Sequence, residues 1–138
     1  MPNWCENKVR IWFDKVEDSE KFQEFVTGVD LWGNPSIFCF SKIMPPPDNE
    51  WDYDWCTENW GTKWELNADD IGYEGYEFDD EECLEYEFNT AWAPPEGIYN
   101  ALYDWAEANA IDMHIQWFYN ESGMEIAGYL RRGMPIFT

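Results

Sequence analysis

The chain is short of positive charge. Its 138 residues hold 8 Lys and Arg against 29 Asp and Glu, a formal net charge of −21 at pH 7. A surface of that sign repels the phosphates of DNA and RNA and the anionic face of a membrane. Direct binding to any of these is excluded, and basic proteins or cations are favoured. Histidine is scarcer still. His114 stands alone at the start of a predicted strand, so it reads as structural or surface-exposed, and a histidine-based triad has no second candidate.

Cysteine is sparse and scattered. Cys5, Cys39, Cys56 and Cys83 form no C-x-x-C pair. A disulfide scaffold is unnecessary at this length and a zinc site has no recognisable spacing, so four reduced, partly buried thiols are expected. No apolar run approaches the roughly 20 residues of a membrane span. The opening Met1-Pro2-Asn3 lacks the pattern of a secretory signal, and a cytoplasmic setting is expected. No Gly-rich phosphate loop is present. Carboxylate pairs occur all along the chain and so single out no glycosidase-type site. Neither an enzymatic activity, a cofactor nor a metal is expected.

The chain does have aromatic rings among its acids. From Asp48 to Glu87 it carries sixteen Asp or Glu and one base, Lys63, together with Trp51, Trp55, Trp60, Trp64, Tyr53, Tyr73, Tyr76, Phe78 and Tyr86. A charge run poor in aromatics reads as a disordered tail. Here each ring can bury roughly 150–250 Å². The stretch is therefore expected to fold, rings inward and carboxylates outward, within one domain spanning 1–138.

Around it the pattern is mixed α and β. Asn7 to Phe13 alternates, with Val9, Ile11 and Phe13 on one side and Lys8 and Arg10 on the other, as a half-buried strand does. A helix follows, with Asp14 or Asp18 as cap, Phe22, Phe25 and Val26 as its core stripe, and Gly28 at its end. Ser36 to Ile43 reads as a second strand, stopped by Pro45-Pro46-Pro47. In the insertion of about 48–80, the four-residue spacing of Trp51/Trp55 and Trp60/Trp64 predicts short helical turns, and Tyr73 to Asp80 reads as irregular. Cys83 to Trp92 is the next strand. Its carboxylate row from Glu77 to Glu87 shares one parity, and Glu85 and Glu87 are set to face Lys8 and Arg10. Pro94-Pro95-Glu96 opens a helix with Ile98, Leu102, Trp105 and Ala106 inward and Ala101 beside them. A hairpin across Asn120 to Gly123 joins strands over 113–119 and 124–130.

This order predicts an α+β, ferredoxin-like sandwich: an antiparallel sheet with two helices on one face, an acidic–aromatic insertion between strands 2 and 3, and an extra C-terminal hairpin strand. Several segments resemble the YubB-type ferredoxin-like domain family of small phage and plasmid proteins. They are Met1-Pro2-Asn3-Trp4-Cys5-Glu6-Asn7, Asn59-Trp60-Gly61-Thr62-Lys63-Trp64, Phe88-Asn89-Thr90-Ala91-Trp92 with Pro94-Pro95, and the glycine hairpin near the C terminus. The resemblance implies a mobile-element origin and carries over no catalytic residue.

Two binding sites follow from these residues. The first is an acidic surface of Asp69, Asp70, Glu74, Asp79, Asp80, Glu81 and Glu82, expected to occupy a basic surface of a host protein. A DNA-binding defence or regulatory enzyme is the natural target type. Carboxylates would stand in for phosphates, which follow one another every ~1.7 Å along DNA. The alternative is a small-ligand or metal module using an aromatic pocket of Trp60, Trp64 and Tyr73. Asp48, Glu50, Asp52 and Asp54 hint at a calcium loop, but its sixth and twelfth positions hold Tyr53 and Asn59, so the match fails.

Overall fold

The computed structural model describes residues 3–78, 81–123 and 125–132. The alternating segment becomes β1 (Trp4–Phe13), with Cys5, Asn7, Val9, Ile11 and Phe13 buried. It is the middle strand of a five-stranded antiparallel sheet. β5 (Glu81–Ala91) lies on one side of it and β6 (Met113–Glu121) on the other. At the edges lie β4 (Gly72–Phe78), beside β5, and β7 (Ile126–Tyr129), beside β6. Val9 faces Tyr86 and Ile11 faces Leu84 across the β1–β5 ladder. Directly opposed residues share a face, so Val9, Ile11, Tyr86 and Phe88 line one side, as their alternation predicts.

Two helices cover that side. α1 (Val16–Val26) contributes Phe22 and Val26, and α4 (Glu96–Ala108) contributes Ile98, Leu102 and Ala106. Trp105 is half-buried and stacks on Phe25 with ring centres 4.7 Å apart and planes within 3°. Neither Asp14 nor Asp18 caps α1; Lys15 holds that position in extended backbone without a side-chain bond. Asn7 is among the polar groups buried with the core. Asn7 donates to the Cys5 carbonyl (3.0 Å) and Thr90 Oγ1 (3.0 Å), and its Oδ1 accepts from Trp117 Nε1 (3.0 Å), so its burial is matched by hydrogen bonds.

Three expectations are corrected. Residues 36–43 are not a strand of the sheet. Pro35–Ser36 (β3) pairs only with Gly28–Val29 (β2), and Phe40–Ile43 is a helical turn, α2. Glu65 imposes that turn: its carboxylate accepts from the N–H groups of Phe40 and Ser41, each at 2.8 Å, at the end of a helix where donors lack internal partners. The stretch after Gly72 is not irregular either; it is β4, so the acidic stretch supplies a strand of the main sheet rather than an insertion between two others. Lastly, the carboxylate row is broken. Glu77 pairs with Glu82, which lies opposite Phe13 on the helix side, whereas Glu85 and Glu87 lie on the open side. The reason is the hairpin between β4 and β5, which reverses the chain inside what reads as one alternating run.

The tryptophan spacing is met only in part: α3 (Tyr53–Asn59) holds Trp55, with Asp52 accepting from its N–H, but Trp51 precedes the helix and Trp60 to Trp64 is a bend, with Gly61 at φ 91°, rather than a helical turn. The predicted cross-strand pairs form: Lys8 Nζ lies 3.2 Å from Glu87 Oε1, and Arg10 Nε 3.2 Å from Glu85 Oε2. All four cysteines are buried free thiols. Among the described residues no helix is long and apolar enough to cross a membrane.

Candidate functional site: an indole-walled cleft

The loop after α3 is fixed from several directions. Trp60 is fully buried and its Nε1 donates to the Met44 carbonyl (2.8 Å). The Trp60 carbonyl in turn accepts from the N–H of Gly97 (3.0 Å), in the first turn of α4. Approach is so close that a Cβ on Gly97 would lie 1.6 Å from the Asn59 carbonyl oxygen. Gly61, at φ 91°, makes the bend that follows, a conformation glycine adopts without steric cost. Thr62 Oγ1 donates to the Ala91 carbonyl (3.0 Å), and Trp51 Nε1 donates to the Lys63 carbonyl (2.7 Å). Every residue from Asn59 to Thr62 thus serves attachment.

What the loop delivers is Trp64. Its ring lies 6.0 Å from that of Trp4, at the exposed start of β1. Lys63 Nζ sits 4.3 Å from the centre of the Trp64 ring and 5.8 Å from that of Trp92. Trp92 is held at φ 72°, a region where a bulky side chain carries strain of about 1–3 kcal/mol and which recurs at binding sites. From the other side a turn brings Trp32: Asp30 Oδ1 accepts from the N–H groups of Trp32 and Asn34, both at 2.9 Å. Between Trp4, Trp32 and Trp64 opens a cleft of about 560 Å³, with Asp30, Glu65 and Asp70 also in its lining. That size falls within the range of small-ligand sites.

Burial raises the Glu65 carboxyl above its ordinary pKa, against the lowering effect of the N–H groups of Phe40, Ser41 and Leu66. Burial likewise pushes the Cys5 thiol up to about 12 and raises Cys39, Cys56 and Cys83. Thiols shifted in that direction stay protonated and are poor nucleophiles. His114 is exposed on the open sheet face with its ring 5.6 Å from that of Trp12. Among the described residues no group of three or more His, Cys, Asp or Glu is placed to hold a metal ion. The cleft offers ring faces and carboxylates.

The residues expected to act together are dispersed. Trp60 is a core anchor, Trp64 a cleft wall, and Tyr73 lies on β4 against Tyr86 with its hydroxyl toward Gln23. Asp69 and Asp70 occupy a 3-10 turn before β4 (Ala68–Asp70), and Asp70 borders the cleft. Glu81 and Glu82 stand at the other end of the β4–β5 hairpin, six or so residues away and hence about 20 Å along the strand. Glu74 and Glu81 are on the open sheet face and Glu82 on the helix side. Asp79 and Asp80 lie outside the described residues. Trp4, Trp32 and Asp30 are cleft residues that sequence reasoning missed. A signal existed for Trp4, whose parity in β1 puts it outward with Lys8; Trp32 had only its place beside Gly33-Asn34-Pro35.

Comparison of the chain with protein-family models, with curated proteins and with solved structures finds no match.

Proposed function

We propose that this chain is a binding protein, not an enzyme, and that its acidic hairpin occupies a basic, nucleic-acid-binding surface of a partner protein. One observation carries the reading. The β4–β5 ladder sets Glu74 opposite Glu85 and Glu77 opposite Glu82. Like charges directly opposed across a sheet are destabilising, so the hairpin holds a repulsion that a partner's lysines and arginines would relieve. Arg10 offsets part of the first pair by binding Glu85, and Lys8 is engaged with Glu87, but among the described residues no base pairs with Glu77 or Glu82.

The sheet order β4-β5-β1-β6-β7, with α1 and α4 on one face, supports a ferredoxin-like reading in which β4 takes the second strand's place. With the YubB-type resemblance, this describes a mobile-element accessory factor in the host cytoplasm whose target is a DNA-binding defence or regulatory enzyme. The cleft favours a second reading, a small-ligand module, with Trp4 and Trp32 in place of Trp60 and Tyr73.

The test is displacement of a labelled DNA duplex from a panel of basic DNA-binding enzymes. Glu74, Glu77, Glu81 and Glu82 are changed to Lys in one variant; Glu17, Asp18, Glu20 and Glu24 on α1 are changed in another, with the same change in net charge. Displacement by the native chain that weakens with salt, and is lost only in the hairpin variant, is the expected result. Equal loss in both variants, or no displacement from any member, would overturn the reading.

A further inference from the structure

The cleft and the hairpin are at different ends of the sheet, and the cleft has its own chemistry. Trp4 and Trp32 are 46% and 57% exposed, although the chain buries Trp60 and Trp117 completely. No lysine, arginine or histidine is among the described residues lining the cleft, whereas Asp30, Glu65 and Asp70 are. A concave wall of ring faces with carboxylates and no base in its lining favours a cation over an anion. Lys63, which is not in that lining, shows that the Trp64 ring takes a cation, since its ammonium lies 4.3 Å from the ring centre.

We infer that the cleft seats an arginine side chain from a basic segment of the partner. This inference rests on the binding-protein reading and adds a defined receptor to it. Arginine fits better than lysine because its planar guanidinium can lie on an indole while its fork reaches a carboxylate in the same plane. Asp70, exposed in the lining, accepts from Asn67 Nδ2 at 2.9 Å on Oδ2 and leaves its other oxygen for that fork. Asp30 is committed on one oxygen to the Trp32 turn, so it fixes the platform. Phosphate-bearing ligands are opposed by the same carboxylates. A neutral sugar, which could also use ring faces, gains nothing from the charge.

The probe is a short acetylated peptide with two arginines separated by glycine. Matched controls carry lysine, or citrulline, which keeps the planar shape without the charge. Binding is read from the indole N–H resonances of the full chain. The expected result is saturable movement of the Trp4, Trp32 and Trp64 signals with the arginine peptide, about three- to tenfold weaker binding with lysine, and loss with citrulline. Trp32→Ala and Asp70→Asn should each weaken binding by about three- to tenfold, while Tyr129→Ala on the open sheet face leaves it unchanged. Both substitutions are at exposed positions, and Asp70→Asn keeps the side-chain shape. Equal binding of the citrulline peptide overturns the inference, as does movement confined to other signals. So does a neutral oligosaccharide that moves the same indoles while the arginine peptide is silent. The two readings fail separately: a silent cleft with hairpin-dependent DNA displacement removes this inference alone, and arginine binding without displacement removes only the hairpin reading.

Discussion

The two halves of the acidic–aromatic stretch have similar composition and opposite fates. Residues 48–66 anchor their backbone to the core: Cys56 and Trp60 are fully buried, Trp60 is bonded to Met44 and Gly97, and the Glu65 carboxylate organises α2, although Trp51 and Tyr53 stay exposed. Residues 67–87 form an edge strand and its neighbour; Tyr73, Tyr76, Glu74 and Glu77 of β4 are exposed, whereas Cys83, Leu84 and Tyr86 of β5 are buried. Ring content alone does not decide burial. What separates the loop of the first half from β4 in the second is a fixed backbone partner on the far side, which the loop has in α4 and the edge strand lacks. The loop around Trp60 is therefore framework and β4 is surface, which suits β4 to recognition.

Glycine substitution breaks this comparison most directly. Gly97→Ala would drive a methyl into the Asn59 carbonyl, a backbone atom that cannot swing aside. The expected loss is on the order of 4 kcal/mol or more, the range reserved for severe packing defects. Gly72→Ala in the second half meets Glu87 Cβ at 3.6 Å and its carbonyl oxygen at 3.8 Å, both ordinary contacts. Its effect should stay within about 0.5 kcal/mol. Urea melts of both variants measure the difference. Similar losses would mean that the two halves are equally structural.

The contrast also explains which parts of the fold were legible. β1, β5, α4 and the terminal hairpin announce themselves by period because one face of each meets the core. Lys8–Glu87 and Arg10–Glu85 follow from that register alone. α2 was not legible, because its cause is a carboxylate 24 and 25 residues away that takes the N–H groups of Ser41 and Phe40. β4 was hidden by Gly72 and Gly75, which weaken a strand pattern. The cleft was partly legible. The Asn59–Trp64 segment stood out, but its partners Trp4 and Trp32 come from chain regions whose neighbours give no sign of convergence.

Glu65→Gln sharpens the framework side. The amide keeps one acceptor oxygen but turns an NH₂ toward a backbone N–H, leaving a buried donor unmatched. About 1–3 kcal/mol of stability should be lost at neutral pH. Its pH dependence has a definite sign. Because the folded-state pKa lies above the ordinary 4.5, the folded chain holds a proton that the unfolded chain releases first. Stability from this group is present below about 4.5 and declines as pH rises toward the raised value. In Glu65→Gln that part of the slope disappears. A steeper slope in the variant would contradict the assignment of the shift to this buried carboxyl.

The smallest effects belong to the exposed charges, and they differ in sign. A double-mutant cycle on Lys8 and Glu87, with side chains 47% and 57% exposed, should give a coupling near the low end of about 0.2–1 kcal/mol. Arg10 and Glu85 should couple somewhat more strongly. Glu85 is only 16% exposed and also accepts from the Tyr76 hydroxyl at 3.3 Å, so its pair is less screened. Both couplings should shrink in 1 M salt, where the Debye length falls to about 3 Å. Glu77→Gln should act the other way, since it removes a carboxylate directly opposite Glu82, and the hairpin should gain a few tenths of a kcal/mol. A surface that becomes more stable when its acids are removed carries them at a cost, and the binding proposal gives that cost a purpose. If Glu77→Gln instead destabilises the chain, the hairpin's carboxylates are structural and the division between framework and surface fails at its second half.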